Sequence, residues 1–225
     1  MVVGVFALSP STILTSLEGQ GRGDKFASFA YGGMGTWDWA DIETMIDEAV
    51  ARRIADPERL AIAGGSLGGF LAAWGCTRPN SRFKAGVISK GPTDWGTLTI
   101  TTDWPDSAVS ESRFSQAASL TFKFFKAQLG RNAPWSPSEP QYLRGSPIRY
   151  VKNVWIPLLL LHGMADRNVP VTQSIGFMRG LVREGALKEG HQLVIYPREG
   201  HMYEERAHAE DYCRRIVEYL ASHLK

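Results

Sequence analysis

The stretch Ala61-Ile62-Ala63-Gly64-Gly65-Ser66-Leu67-Gly68-Gly69-Phe70 constrains the fold more than any other part of the chain. A short apolar run ends in Gly-Gly-Ser-Leu-Gly-Gly, and an apolar, helix-compatible segment follows. Small residues at Gly64 and Gly68 let a strand and a helix approach without a Cβ collision, and the sharp reversal between them forces the serine into a strained backbone conformation. Such a turn is a nucleophile elbow. It leaves Ser66 projecting alone at a strand end. The backbone N–H of Leu67, first in the following helix, points to where an oxyanion would form and adds the positive end of the helix dipole. A glycine-rich strand-to-helix turn without chemistry has the same composition, so the reading depends on partners elsewhere in the chain.

The flanking pattern supports the elbow. Residues 59–63 read as a strand, 67–77 as a helix and 83–89 as the next strand, a β-α-β rhythm. Upstream, residues 2–8 form an apolar β-branched run, expected as a buried parallel strand. From Asp41, Ile42, Met45, Ile46, Ala49 and Val50 recur at helical spacing, with Asp56-Pro57 expected to end that helix. Downstream come a strand at 156–162, a helix marked by Ile175, Met178, Leu181 and Val182, a strand at 192–196, and a closing helix with Tyr212, Ile216, Tyr219 and Leu220. This alternation predicts an α/β fold, a mostly parallel sheet with helices on both faces, whose ligands bind beyond the carboxyl ends of the strands. Residues 92–147 break the rhythm and gather Trp95, Trp104, Phe114, Phe122, Phe124, Phe125, Trp135 and Tyr142. They read as an insertion over the cleft, whose aromatics are expected mainly to pack the insertion's own small core, with the lining of a substrate pocket as the alternative.

With 225 residues, 44% of them hydrophobic, the chain can bury one sizeable core, and a single domain over 1–225 is expected. A net charge of +2 with interspersed signs offers no stripe for nucleic acid, which leaves a peptide or small acyl partner. Cys76 and Cys213 stand far apart with no metal-type clustering; two buried thiols are expected, and no metal or organic cofactor. The apolar opening is too short to cross a bilayer and lacks a basic start, so no membrane association and a cytoplasmic location are expected. Glu18-Gly19-Gln20-Gly21-Arg22-Gly23-Asp24 misses the spacing of a phosphate-cradling loop.

Ser66 needs a base, because a free hydroxyl is a poor nucleophile at neutral pH. His201, in Pro197-Arg198-Glu199-Gly200-His201, lies just past a strand end. So does Asp166, in Gly163-Met164-Ala165-Asp166-Arg167-Asn168-Val169-Pro170. Ser66, Asp166 and His201 thus follow the chain order of α/β-hydrolase triads, with Asp166 orienting the imidazole. Among competitors, His162 is expected to shape the acid loop, His191 sits at the wrong sheet edge, and His208 and His223 read as surface residues. Asp94, also past a strand end, is the one serious rival acid.

Gly64-Gly65-Ser66-Leu67-Gly68-Gly69-Phe70, Leu160-Leu161-His162-Gly163-Met164-Ala165-Asp166-Arg167-Asn168-Val169-Pro170 and Tyr196-Pro197-Arg198-Glu199-Gly200-His201 resemble the three catalytic segments of the prolyl oligopeptidase family. Ser146-Pro147-Ile148 and Val154 to Pro157 are similar to its approach to the acid loop. The acylaminoacyl-peptidase branch is the nearest match. The resemblance implies serine-type hydrolysis of short peptides or acylated amino acids through an acyl-enzyme. A carboxylesterase on the same triad is the alternative, and an inactive hydrolase fragment or interaction scaffold a third. The family usually carries a β-propeller before the hydrolase domain, and no part of these 225 residues is expected to form one. It also commonly supplies an oxyanion tyrosine from the loop that here contains Arg22, making Arg22 or a backbone N–H the expected substitute. If residues 2–8 match the fourth strand of the fold, the first strands are missing and the domain is N-terminally incomplete.

Overall fold

The structure, a computed structural model, describes residues 3–6, 12–14, 34–103 and 140–225. Its sheet has the order β2-β1-β3-β4-β5-β6, with β1 at Val3–Phe6, β2 at Thr12–Leu14, β3 at Ala61–Gly65, β4 at Ala85–Ser89, β5 at Leu158–Gly163 and β6 at Gln192–Tyr196. Strands β3 to β6 pair in parallel. The expectation for residues 2–8 is corrected here. β1 runs antiparallel to both β2 and β3, with Gly4 opposite Ala63. A short return to β2 is enough to join antiparallel neighbours, whereas a parallel pair needs a crossover. An apolar β-branched run fits either direction, so the sequence could not distinguish them.

Period-two alternation divides the parallel strands between two cores. Ile62, Ile88, Leu158 and Leu160 face α1 (Trp37–Ala51), α2 (Leu67–Cys76) and α5 (Thr172–Arg183), packing with Ile42, Ile46, Phe70, Trp74, Phe177 and Leu181. Ala61, Ala63, Ala85, Val87, Leu159 and Leu161 face α6 (Arg206–His223), meeting Tyr219 and Leu220. Small strand residues on this second face bring the closing helix near the sheet. Helix α1 begins four residues before Asp41 and ends at Ala51, not at Asp56-Pro57; Arg53, at φ 58°, already turns the chain away.

The short helices α3 (Trp95–Thr101) and α4 (Pro140–Arg144) belong to the expected insertion. Trp95 and Tyr142 do not pack a separate small core: both are buried in the main one, where the Trp95 ring lies 5.0 Å from Phe70. Trp104, Phe114, Phe122, Phe124, Phe125 and Trp135 lie outside the described residues. The thiol expectation also needs correction, since Cys76 is buried but Cys213 is exposed, on a face of α6 turned away from the sheet. No helix among the described residues is long and apolar enough to cross a membrane.

Candidate active site

Ser66 sits between β3 and α2 at φ 58° and ψ −124°, a conformation non-glycine residues hold only when their surroundings enforce it. The enforcement is visible. A Cβ on Gly64 would collide with the backbone of Gly68, and one on Gly69 with Ser89 and Gly91. Glycines thus let α2 begin directly against the ends of β3 and β4. Two hydrogen bonds hold the turn, Ser66 N–H to Ser89 O and Phe70 N–H to Ser66 O, both at 3.0 Å. As the first residue of α2, Leu67 presents an N–H with no intrahelical acceptor.

The structure brings Ser66, Asp166 and His201 together from the ends of β3, β5 and β6. His201 Nδ1 lies 2.8 Å from Asp166 Oδ2, and its Nε2 lies 2.9 Å from Ser66 Oγ. A carboxylate oxygen only accepts, so Nδ1 carries the proton and Nε2 is free to accept from the serine hydroxyl. The array can therefore take a proton from Ser66 without rearrangement. Arg22 lies outside the described residues.

Asp166 is buried. Burial disfavours its charge, but hydrogen bonds from His162, His201 and the Val169 N–H outweigh that cost and hold the carboxyl well below the ordinary carboxylate range. His162 has the loop-shaping position expected of it. Its Nε2 donates to Val169 O at 2.7 Å and lies 3.5 Å from Asp166 Oδ2, while its Nδ1 accepts from Ser174 Oγ at 2.7 Å. The rival Asp94 instead caps α3, accepting from Gly96 N–H and the Thr97 hydroxyl. His191 is at the foot of β6, away from the strand ends that carry the triad.

One bracing group was not anticipated from the sequence. Glu199 is 2% exposed, and its carboxylate accepts from Glu204 N–H at 2.8 Å, Glu205 N–H at 3.0 Å and His208 Nδ1 at 2.8 Å. These bonds close residues 199–205 into a compact loop with His201 inside it. The backbone carbonyl of Glu199 also accepts from Ala165 N–H at 2.8 Å, joining the base loop to the acid loop. Gly163 permits that contact, because a Cβ there would strike the carbonyls of Glu199 and Gly200. His208 is thus a partner of a buried acid rather than a plain surface residue. Nothing in the local pattern reveals this, because the acceptor's partners lie five to nine residues ahead and meet it only once the loop folds back. Glu199, Glu205 and His208 are also close enough to share a metal ion. Their atoms are already engaged, however: Glu199 as above, and Glu205 by Arg198 at 2.6 and 2.7 Å.

The prolyl oligopeptidase family model matches residues 15–225. The chain belongs to this family. It is 30% identical over 203 residues to the uncharacterized peptidase YuxL of Bacillus subtilis, covering 90% of this chain and 27% of the relative. To the human acylamino-acid-releasing enzyme it is 28% identical over 193 residues, covering 86% of this chain and 24% of that protein. The acylaminoacyl peptidase of Pyrococcus horikoshii superposes with a TM-score of 0.78 at 26% identity, covering 96% of this chain and 32% of that one. The chain therefore spans about a quarter to a third of the length of these relatives, and its architecture is that of an α/β hydrolase.

Proposed function

We propose that residues 1–225 form one catalytic domain of a serine peptidase that cleaves short peptides or acylated amino acids through an acyl-enzyme. The observation that carries this reading is the unbroken chain of hydrogen bonds from Ser66 through His201 to Asp166. Ser66 Oγ attacks the scissile carbonyl carbon as its proton passes to His201 Nε2. The resulting oxyanion accepts from Leu67 N–H, and the ionised Asp166 stabilises the imidazolium. Collapse of the adduct breaks the C–N bond, and His201 returns the proton to the leaving amine. Water, deprotonated by His201, then hydrolyses the ester. Arg22 is the candidate second oxyanion donor.

Relatives named acylamino-acid-releasing enzyme and acylaminoacyl peptidase support the substrate class. A fluorophosphonate probe tests the chemistry. Labelling of the parent that disappears in Ser66→Ala and His201→Ala supports the triad; a folded parent that stays unlabelled rejects it. Matched peptide and ester substrates then separate a peptidase from a carboxylesterase on the same residues.

A further inference from the structure

Beside the triad stands a cation, Lys90, that forms no ion pair with any carboxylate among the described residues. Lys90 follows the last residue of β4, and its backbone adopts φ 41°, a left-handed conformation that a non-glycine residue holds only when its surroundings enforce it. Its surroundings fix it there. Lys90 N–H donates to Leu161 O at 2.8 Å, and Gly91 is pressed against Gly69 so closely that neither tolerates a Cβ. The side chain is held between the neighbours of the two reacting residues. Its Cε lies 3.8 Å from where a Cβ would stand on Gly65, which precedes Ser66. Its Nζ lies 4.0 Å from Sδ of Met202, which follows His201, and 4.8 Å from the centre of the Tyr203 ring.

None of the ion pairs formed among the described residues uses Lys90. A thioether and an aromatic face are weak partners for an ammonium with three donors. Burial lowers the Lys90 ammonium from its ordinary value, opposed by the more distant attraction of Asp166. A partly desolvated cation whose partners among the described residues are only a thioether and a ring face suits an anion that arrives with the substrate. Beside it Met202 is 67% exposed, an apolar and adaptable surface.

The position selects which part of a substrate meets this pair. The carbonyl oxygen turns to Leu67 N–H, while the leaving nitrogen must face His201 Nε2 to receive its proton. The residue carrying that nitrogen therefore lies on the His201 side, nearest Met202 and Lys90. Resting on the peptidase reading above, we infer that Lys90 binds the free α-carboxylate of the leaving amino acid while Met202 packs on its side chain. The site then favours N-acylated dipeptides and other peptides cut one residue from a free carboxyl terminus.

The test uses benzyloxycarbonyl-dipeptides that end in leucine, either as the free carboxylate or as the carboxamide. Wild type should hydrolyse the carboxylate with kcat/KM about 10- to 100-fold higher, and that preference should shrink as salt screens the contact. Lys90→Met should bring the two substrates level, and Lys90→Arg should keep the carboxylate ahead. Calorimetric titration of Ser66→Ala with the same pair reads the subsite without turnover. Equal rates on both substrates in wild type, or a preference that survives Lys90→Met or is indifferent to salt, would overturn the inference and leave the peptidase reading intact. Selective, Lys90-dependent binding by Ser66→Ala in a protein whose wild type cleaves neither peptide would do the reverse. Failure of Ser66→Ala to distinguish the two peptides, or to bind either, also overturns the inference.

Discussion

Glu199→Gln tests whether the base is held by its own loop. The glutamine is nearly isosteric, but it has one acceptor oxygen where the carboxylate has two. Its amide nitrogen must then face either Glu204 N–H or the pair formed by Glu205 N–H and His208 Nδ1, all of which lie within 3.0 Å of a carboxylate oxygen. At a site only 2% exposed, a backbone donor left facing another donor costs roughly 1–3 kcal/mol, and the remaining bonds lose their charge assistance. A total of about 3 kcal/mol is expected, which for a chain of this size lowers the melting temperature by about 6–12 °C. Because the same bonds shape the loop around His201, displacement of the imidazole by about an ångström should slow fluorophosphonate labelling by about 10- to 100-fold, measured well below the melting transition. Calorimetry and labelling kinetics on the same preparation read both effects. A melting temperature within 2 °C of wild type together with unchanged labelling would refute the bracing argument.

Burial raises the Asp38 carboxyl to about 6 against an ordinary 3.8, so its folded form holds a proton more tightly than its unfolded form. The stability linked to that proton is fully present below about pH 4 and is lost as pH rises through about 6, a difference of about 3 kcal/mol. Asp38→Asn should therefore melt above wild type at pH 8 and converge with it at pH 4; the opposite order would reject the argument. Asp166→Asn should lower turnover about 10,000-fold while leaving the fold intact by circular dichroism, since the amide no longer imposes the Nδ1–H tautomer on His201. Gly163→Ala drives a methyl into the carbonyls of Glu199 and Gly200 and should reduce labelling by more than about 100-fold by separating the acid and base loops. If Arg22 donates to the oxyanion, Arg22→Ala should cost about 100- to 1,000-fold in turnover, and unchanged activity would remove it from the site.

The meeting of Ser66, Asp166 and His201 was legible in the sequence because each lies just past a strand whose apolar run is easy to see. Strand ends along a parallel sheet share one edge, so chain order and strand position were enough to select Ser66, Asp166 and His201, and to prefer Asp166 over Asp94. The direction of β1 was not legible: Val3–Phe6 carries no mark of its partner's orientation. The exposure of Cys213 was equally hidden, since it depends on which face α6 turns to the sheet.

The sequence by itself determined the alternation of strands and helices, the strained serine turn and the three groups that converge on it. These rest on local rules of periodicity, glycine placement and chain order. Tertiary structure alone decided that Glu199 clasps the loop around His201, that His162 supports Asp166, and that Lys90 lies between the neighbours of Ser66 and His201. Each of those contacts joins residues whose meeting requires a loop to fold back or two strand ends to come side by side. A hydrogen bond or a side-chain contact is defined by distances of a few ångströms, and no local pattern in the chain encodes them.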